Sequence, residues 1–343
     1  MPKAFIQPMF EGQLDIIGDI HGEIDALNQL LSKLGYAADG VHPEGRKIIF
    51  VGDLCDRGPD SLAVITKVKS LVEAGLAQCV LGNHELNLLI DARREGNGWF
   101  FGSPHEDDRK NFQSISASAE DQAWILAFLD TLPLVLASSS LRVVHACWDS
   151  KSIQRLQQLP SSSLAQAYQV YLDEIEQSLL QHGLSQAAAQ EYQQYALQLK
   201  DPEHTPPYLS ALAERDLLEQ MQNPIKVVTS GAEHAVDVPF FVGGKWRFID
   251  RLKWWDHYQD DIPVVMGHYW RNFKSTEEKT GLMKYIEPLA WFGTKKNIFC
   301  VDYSVGKRYL DRQYQRDYAD QIAALRFPER LLMLEDGTLL DTE

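Results

Sequence analysis

Three short stretches of this 343-residue chain set carboxylates, imidazoles and an amide beside glycines: Gly18-Asp19-Ile20-His21-Gly22, Gly52-Asp53-Leu54-Cys55-Asp56-Arg57-Gly58 and Gly82-Asn83-His84-Glu85. Two more histidines, His145 in VVHACW and His268 in VVMGHYW, stand where an apolar run stops. Aspartate and histidine one residue apart in extended chain project to the same side, so Asp19 and His21 can ligate one metal ion together. Asp53 adds a carboxylate whose two oxygens can bridge two ions about 3.5 to 4 Å apart. Asn83, His145 and His268 would complete the second ion. Oxygen and nitrogen donors without thiolate suit manganese, iron or zinc and do not choose among them. Each residue taken singly is more often a satisfied polar group at a strand end; the joint occurrence of the blocks is what reads as a dinuclear metal centre.

Other chemistries lack their parts. His84-Glu85 has no second histidine four residues after His84, which a zinc protease helix needs, and no G-x-x-x-x-G-K-[ST] loop is present. No cysteine is followed six positions later by arginine, so a cysteine-dependent phosphatase is excluded. The four cysteines (Cys55, Cys79, Cys147, Cys300) form no C-x-x-C pair and read as reduced thiols, Cys55 as a buried small hydrophobe.

The elements that must hold these groups are legible as apolar runs. LDIIGD, KIIFVGD and AQCVLGN read as strands running into the three blocks, with helices over Ile24 to Leu34, Ser61 to Glu73 and from about Glu85. LRVVHA, PVVMGHY and NIFCVDYS read as later strands, and VPFFVGGKWRF as a hairpin around Gly243 and Gly244. Strands alternating with helices argue for a sheet with helical covers, whose ligands sit beyond the carboxyl ends of the strands, where each block falls. The Gln-, Ala- and Leu-rich stretch 151–223 reads as a helical insertion subdomain dividing a catalytic core of 1–150 and 224–343. Nothing in it looks catalytic, which favours a packing or oligomerising appendage over a substrate cap.

Composition is that of a globular chain, 45% hydrophobic and 24% charged. The formal charge of −15 repels nucleic-acid backbones and anionic membranes, so a phosphate ligand needs a local source of positive charge. No apolar stretch is long enough to span a bilayer, and the expected compartment is the cytoplasm.

The three blocks resemble those of the calcineurin-like metallophosphoesterases, specifically the phosphoprotein phosphatase branch, whose motifs read GDxHG, GDxxDRG and GNHE. The likeness is close over about residues 14 to 90 and afterwards rests on the two later histidine segments and the last strand. It implies two packed mixed β-sheets flanked by helices, one metal on Asp19, His21 and Asp53, and the other on Asp53, Asn83, His145 and His268. It further implies in-line attack by a hydroxide between the ions, Arg57 gripping the phosphate, and His84, paired with Asp56, protonating the leaving group.

Trp270 stands where many metallophosphoesterases carry the second histidine of GHxH, as in the phosphoprotein phosphatases. His145-Ala146-Cys147 departs from the HGG of the eukaryotic members. A second phosphate-binding arginine has no clear counterpart; Arg251 is the candidate, Arg247 its rival, and a surface ion pair the alternative. Length, VHACW and the insertion narrow the resemblance to cold-active bacterial protein-tyrosine phosphatases, implying a phosphorylated protein or peptide as substrate, phosphotyrosine before phosphoserine or phosphothreonine. Two alternatives stand beside it: a dinucleoside polyphosphate hydrolase, because bacterial relatives share the motifs, and a non-catalytic phosphoprotein-binding pseudophosphatase, against which the intact His84 and Asp56 argue.

Among the remaining residues, Trp148, Trp254, Trp255, Tyr269 and Trp270 read as core, with a pocket wall as the alternative. Asp302 reads equally as a turn residue or as one orienting a metal-bound histidine. His42, His105, His182, His204, His234 and His257 read as surface or structural.

Overall fold

The apolar runs before the glycine-flanked blocks are strands buried on both faces, which is why they are continuous rather than alternating. A computed structural model describes residues 5–102, 114–159, 163–273 and 281–342. The first part of the chain runs Ile6–Pro8 (β1), Leu14–Ile17 (β2), Ile24–Leu34 (α1), Lys47–Phe50 (β3), Ser61–Glu73 (α2), Ala77–Cys79 (β4), Asn83–Leu89 (α3), Gly98–Phe101 (α4), Ala119–Leu129 (α5), Val135–Ala137 (β5) and Arg142–Val144 (β6). Helices follow: Ser150–Gln158 (α6), Leu164–Gln181 (α7), Leu184–Tyr195 (α8), Ser210–Met221 (α9) and Pro224–Ser230 (α10). Strands return with Glu233–Val242 (β7), Lys245–Arg251 (β8), Val264–Met266 (β9) and Ile298–Cys300 (β10), then Arg308–Gln313 (α11), Ala323–Phe327 (β11), Leu331–Leu334 (β12) and Leu339–Asp341 (β13).

Two mixed sheets result. One has the order β13-β12-β11-β2-β3-β4, with β2, β3 and β4 parallel and β11 antiparallel to β2. The other has the order β1-β5-β6-β9-β10, with β6, β9 and β10 parallel. The two-residue period of the strands sorts their side chains into two cores. Ile16, Ile49, Val265 and Phe299 pack with Leu325 and Leu332 in the layer between the sheets. Their neighbours Ile17, Ile48, Phe50, Val264 and Ile298 face outward, into a cluster that includes Leu27 and Leu30 of α1 and Val64 and Val68 of α2.

Helix ends follow local chemistry. Asp60 caps α2 by accepting the Ala63 N–H at 2.8 Å, worth about 1 kcal/mol. Gly35, at φ 99°, ends α1 in a left-handed conformation that glycine adopts without a Cβ penalty. The strands are shorter than the apolar runs: β4 stops at Cys79 and β6 at Val144, so His145 lies just beyond its strand. Helix α3 starts at Asn83, two residues before the expected Glu85. Strands β11 to β13 carry none of the motif residues and were not expected; they supply the antiparallel half of one sheet. The expected hairpin around Gly243 and Gly244 is β7–β8.

Candidate active site

Every block leaves the carboxyl end of a strand: Asp19 and His21 after β2, Asp53, Asp56 and Arg57 after β3, Asn83 and His84 after β4, His145 after β6 and His268 after β9. The loops approach so closely that a Cβ at Gly267 would collide with Asp19 Oδ1, and one at Gly82 with Asp53 Oδ1. The backbone turns sharply there. His21, Asp53, Asp56, Arg57, His268 and Trp270 all have φ between 46° and 71°, a left-handed conformation that costs of order 1 kcal/mol each and persists where the surroundings over-determine it. His21 is therefore not in extended chain, as the spacing argument assumed. Its N–H and that of Ile20 both donate to Asp53 O (2.9 and 3.0 Å), and the turn, not the strand alternation, brings His21 Nε2 to 4.0 Å from Asp19 Oδ2.

Two groups of ligand atoms converge, His21 with Asp53 and His84, and Asp53 with His145 and His268, the atoms of each group within 4.8 Å of one another. Asp53 belongs to both. Its Oδ2 lies 3.7 Å from His21 Nε2, and its Oδ1 lies 3.3 Å from His145 Nε2. Asn83 Oδ1 lies 3.3 Å from His145 Nε2 and accepts from His268 Nδ1 at 2.9 Å. The ring orientations are set from behind: His21 Nδ1–H donates to Cys55 O (3.0 Å) and His145 Nδ1–H to Val51 O (2.7 Å), which aims both Nε2 lone pairs inward. His268 Nε2 is buried without a hydrogen-bond partner among the described residues. An orphaned imidazole nitrogen, a carboxylate common to both groups and a donor set of oxygens and imidazoles fit two metal ions.

Electrostatics favour a charged carboxylate at Asp53 and neutral imidazoles at His21 and His268, whereas Asp19 and His145 are shifted toward their protonated forms. Burial opposes ionisation of Asp53, yet His145 and His84 hold its carboxyl well below the ordinary range. Burial likewise opposes charging His145, but Asp53 outweighs it and raises that imidazole. Burial and then Arg57 push His21 down, burial and then Arg251 push His268 down, and burial followed by Asp302 and Asp53 pushes Asp19 up. Neutral imidazoles are the metal-binding form.

Beside the ligand atoms, the Arg57 guanidinium nitrogens lie 3.1 Å from His21 Nε2 and 3.2 Å from His84 Nε2. His84 Nδ1–H donates to Asp56 Oδ2 at 2.6 Å, and Trp99 Nε1–H donates to Asp56 Oδ1, also at 2.6 Å. A cavity of about 850 Å³ opens over Asp53, Asn83, His84 and His268. Among the described residues four cations line it, Arg57, Arg251, Lys253 and Lys307, which is the local positive charge that a chain of net charge −15 needs to hold a phosphate. Arg251, not Arg247, is among the lining residues.

The aromatic residues divide. Tyr269 and Trp270 line the cavity, with Trp270 lying 4.9 Å from Arg57 and 4.5 Å from Lys307. Trp254 and Trp255 are buried in the core, and Trp148 packs against Arg142. Asp302 accepts the Trp270 and Ser304 N–H groups (2.9 and 2.8 Å), so it shapes the loop after His268 rather than a histidine ring. His42 is buried and donates to Leu34 O, while His182, His204, His234 and His257 are exposed and outside the site; His105 lies outside the described residues. All four cysteines are free and buried.

Two residues were missed. Glu85 is fully buried and accepts four backbone N–H groups, from Gly82 (3.0 Å), Asp53 (2.9 Å), Leu54 (2.7 Å) and Cys55 (3.3 Å), so one carboxylate ties the second block to the third. Burial and the nearby Asp53 push its carboxyl upward. A signal existed: a glutamate three residues after a helix N-cap is half of a capping box. Trp99, the partner of Asp56, lies 43 residues away in sequence and had none.

Comparison with known proteins adds a family. Residues 13–235 match the model of the calcineurin-like phosphoesterases. The asymmetrical bis(5'-nucleosyl)-tetraphosphatase PrpE of Geobacillus thermodenitrificans is 54% identical over 74 residues, 21% of this chain and 30% of that protein. A symmetrical bis(5'-nucleosyl)-tetraphosphatase of a Janthinobacterium species is 38% identical over 130 residues, 38% of this chain and 42% of that protein. The chain thus spans less than half the length of either relative. Among solved structures, a cold-active protein-tyrosine phosphatase of a psychrophilic Shewanella aligns over 100% of this chain and 83% of its own at 14% identity and TM-score 0.44.

Proposed function

The chain belongs to the calcineurin-like phosphoesterase family, a metal-dependent phosphoesterase hydrolase by that membership, and on this premise we propose that its substrate is a dinucleoside polyphosphate. The observation that carries the reading is the set of four cations around one large cavity beside the metal ligands. A single phosphomonoester carries about two negative charges. A phosphate chain carries charge along its length, and Arg251, Lys253 and Lys307 give the phosphates beyond the reacting one separate partners. The two tetraphosphatase relatives point the same way over the part of the chain that they match.

Two ions held by Asp19, His21, Asp53, Asn83, His145 and His268 would supply Lewis-acid stabilisation of phosphoryl charge and lower the pKa of water. The protein's own groups do the rest. Arg57, whose guanidinium sits between His21 and His84, binds the reacting phosphoryl group, and Arg251 a second phosphate. Asp56, held by Trp99, keeps His84 oriented through Nδ1, leaving Nε2 to deliver a proton to the leaving group. Such a donor is worth about 10² to 10⁴ in rate.

A second reading, hydrolysis of a phosphotyrosine peptide, is favoured by the Trp270 ring beside Arg57, a flat wall next to the reacting phosphate. The test is kcat/KM of the manganese-loaded protein on diadenosine tetraphosphate, a phosphotyrosine peptide and a phosphoserine peptide, before and after chelation. Preference for the dinucleotide supports the first reading, preference for phosphotyrosine replaces it with the second, and turnover that survives exhaustive chelation sinks both.

A further inference from the structure

The β7–β8 hairpin belongs to neither sheet of the sandwich; among the described residues its strands pair only with each other. Its tip residue Val242 and its base residues Asp250 and Arg251 all line the cavity over Asp53 and His84, so the ribbon runs along that cavity instead of touching it at one end. Its other face is buried against the helical insertion. Phe248, 1% exposed, sits in a separate apolar cluster with Leu199, Leu209, Leu212 and Ala213, all of them insertion residues. Trp246 Nε1–H donates to Asp201 O at 2.8 Å, and the Tyr208 ring meets Phe248 edge-on at 5.7 Å. At the near end Gln220 donates to Gly231 O (2.7 Å), joining α9 to the start of β7. The ribbon is therefore positioned by the insertion and not by the sheets that carry the metal ligands.

Apolar surface is left open in the wall of the cavity, at the hairpin's tip and beyond it. Val242 is 50% exposed and Tyr285 73% exposed, and both line the cavity together with Leu282. Apolar side chains beside a few fixed cations are the composition of a site that orients a ligand with a charged and a flat part.

Resting on the hydrolase reading above, we propose that the insertion and the hairpin it clamps form the wall that selects what a substrate carries beyond its reacting phosphoryl group. A further anionic unit lies against Arg251 and Lys253, and a flat or apolar group lies against Val242, Leu282 and Tyr285. The stretch 151–223 then acts as a specificity element, in place of the passive appendage its sequence favoured.

The test compares a substrate that reaches the wall with one that does not. Leu212→Ala and Trp246→Phe loosen the clamp from behind without touching the cavity; Val242→Glu, at an exposed tip, alters the wall itself and does not depend on the clamp for folding. Steady-state kinetics with manganese are measured on diadenosine tetraphosphate and on 4-nitrophenyl phosphate, with thermal melting as the folding control. The expected result is KM for the dinucleotide raised about fivefold or more in Leu212→Ala and Val242→Glu with kcat retained, while Leu212→Ala changes kcat/KM on 4-nitrophenyl phosphate by less than about twofold. Equal changes on both substrates, or none on either, in folded variants overturn the proposal. If the wild type cleaves 4-nitrophenyl phosphate but not the dinucleotide, the substrate reading fails on its own, and the same ratio is scored with a phosphotyrosine peptide; a ratio unmoved by Val242→Glu then overturns the hairpin proposal too.

Discussion

Replacing Glu85 with glutamine should loosen the site from beneath. Glu85 Oε2 accepts the N–H groups of Asp53 and Gly82, and Oε1 accepts those of Leu54 and Cys55. An ionised carboxylate satisfies all four. A carboxamide has one acceptor oxygen, so whichever way it turns, two buried N–H groups face an NH₂ instead of an oxygen. Each buried group left unsatisfied costs about 1–3 kcal/mol, which gives about 2–6 kcal/mol for Glu85→Gln. A domain's total stability is only about 5–15 kcal/mol, so the loss is a large part of it. Urea unfolding of the chelated protein reads this term apart from metal binding. Calorimetric titration of manganese into the folded variant should then show affinity weakened about 10- to 100-fold, because Asp53 and Asn83, the proposed ligands, stand in the two blocks that Glu85 joins. A stability loss below about 1 kcal/mol together with wild-type manganese affinity would refute the argument that this carboxylate organises the loops.

Three further outcomes are expected. His84→Asn should lower kcat by about 10² to 10⁴ on a phosphoserine peptide, whose alkoxide leaving group needs a proton, and by much less on 4-nitrophenyl phosphate; equal losses would remove the proton-donor role. Asp53→Asn should cost the protein both ions, since Asp53 alone belongs to both ligand groups, and elemental analysis showing two retained ions would contradict the bridging assignment. Hydrogen bonding by Arg46 holds the Glu329 carboxyl below its ordinary 4.5. A depressed carboxyl contributes stability that is present above its unfolded pKa and lost as pH falls through its folded one. Glu329→Gln should therefore be less stable than the wild type at pH 7, with the gap closing below about pH 4.5; urea midpoints equally far apart at both pH values would dismiss the linkage.

Much of the site was legible because its chemistry is local. Strands buried on both faces are continuous apolar runs, and each ends in a block whose residue types are rare together, so LDIIGD, KIIFVGD and AQCVLGN located β2, β3 and β4 and the groups beyond them. The period of α1 and its stop at Gly35 were equally visible, since both come from neighbours on one helix. The mixed character of the sheets came from family resemblance. Strands β11 to β13 are three to five residues each, and nothing in AALRF or LLML says that it lies antiparallel to β2.

Residue types and their order alone determined which side chains could meet at a metal centre, because ligand chemistry is a property of the side chain. How they meet was decided by the tertiary structure. Asp19 and His21 converge through a left-handed turn fastened to Asp53 O, not through strand alternation. Glu85 and Trp99 matter only because folding brings backbone N–H groups and Asp56 to them. Arg251 reaches the cavity and Arg247 does not because of the path of a hairpin whose position depends on segments up to about fifty residues earlier in the chain. Contacts between distant segments follow from packing, and packing is a property of the whole chain rather than of any window within it.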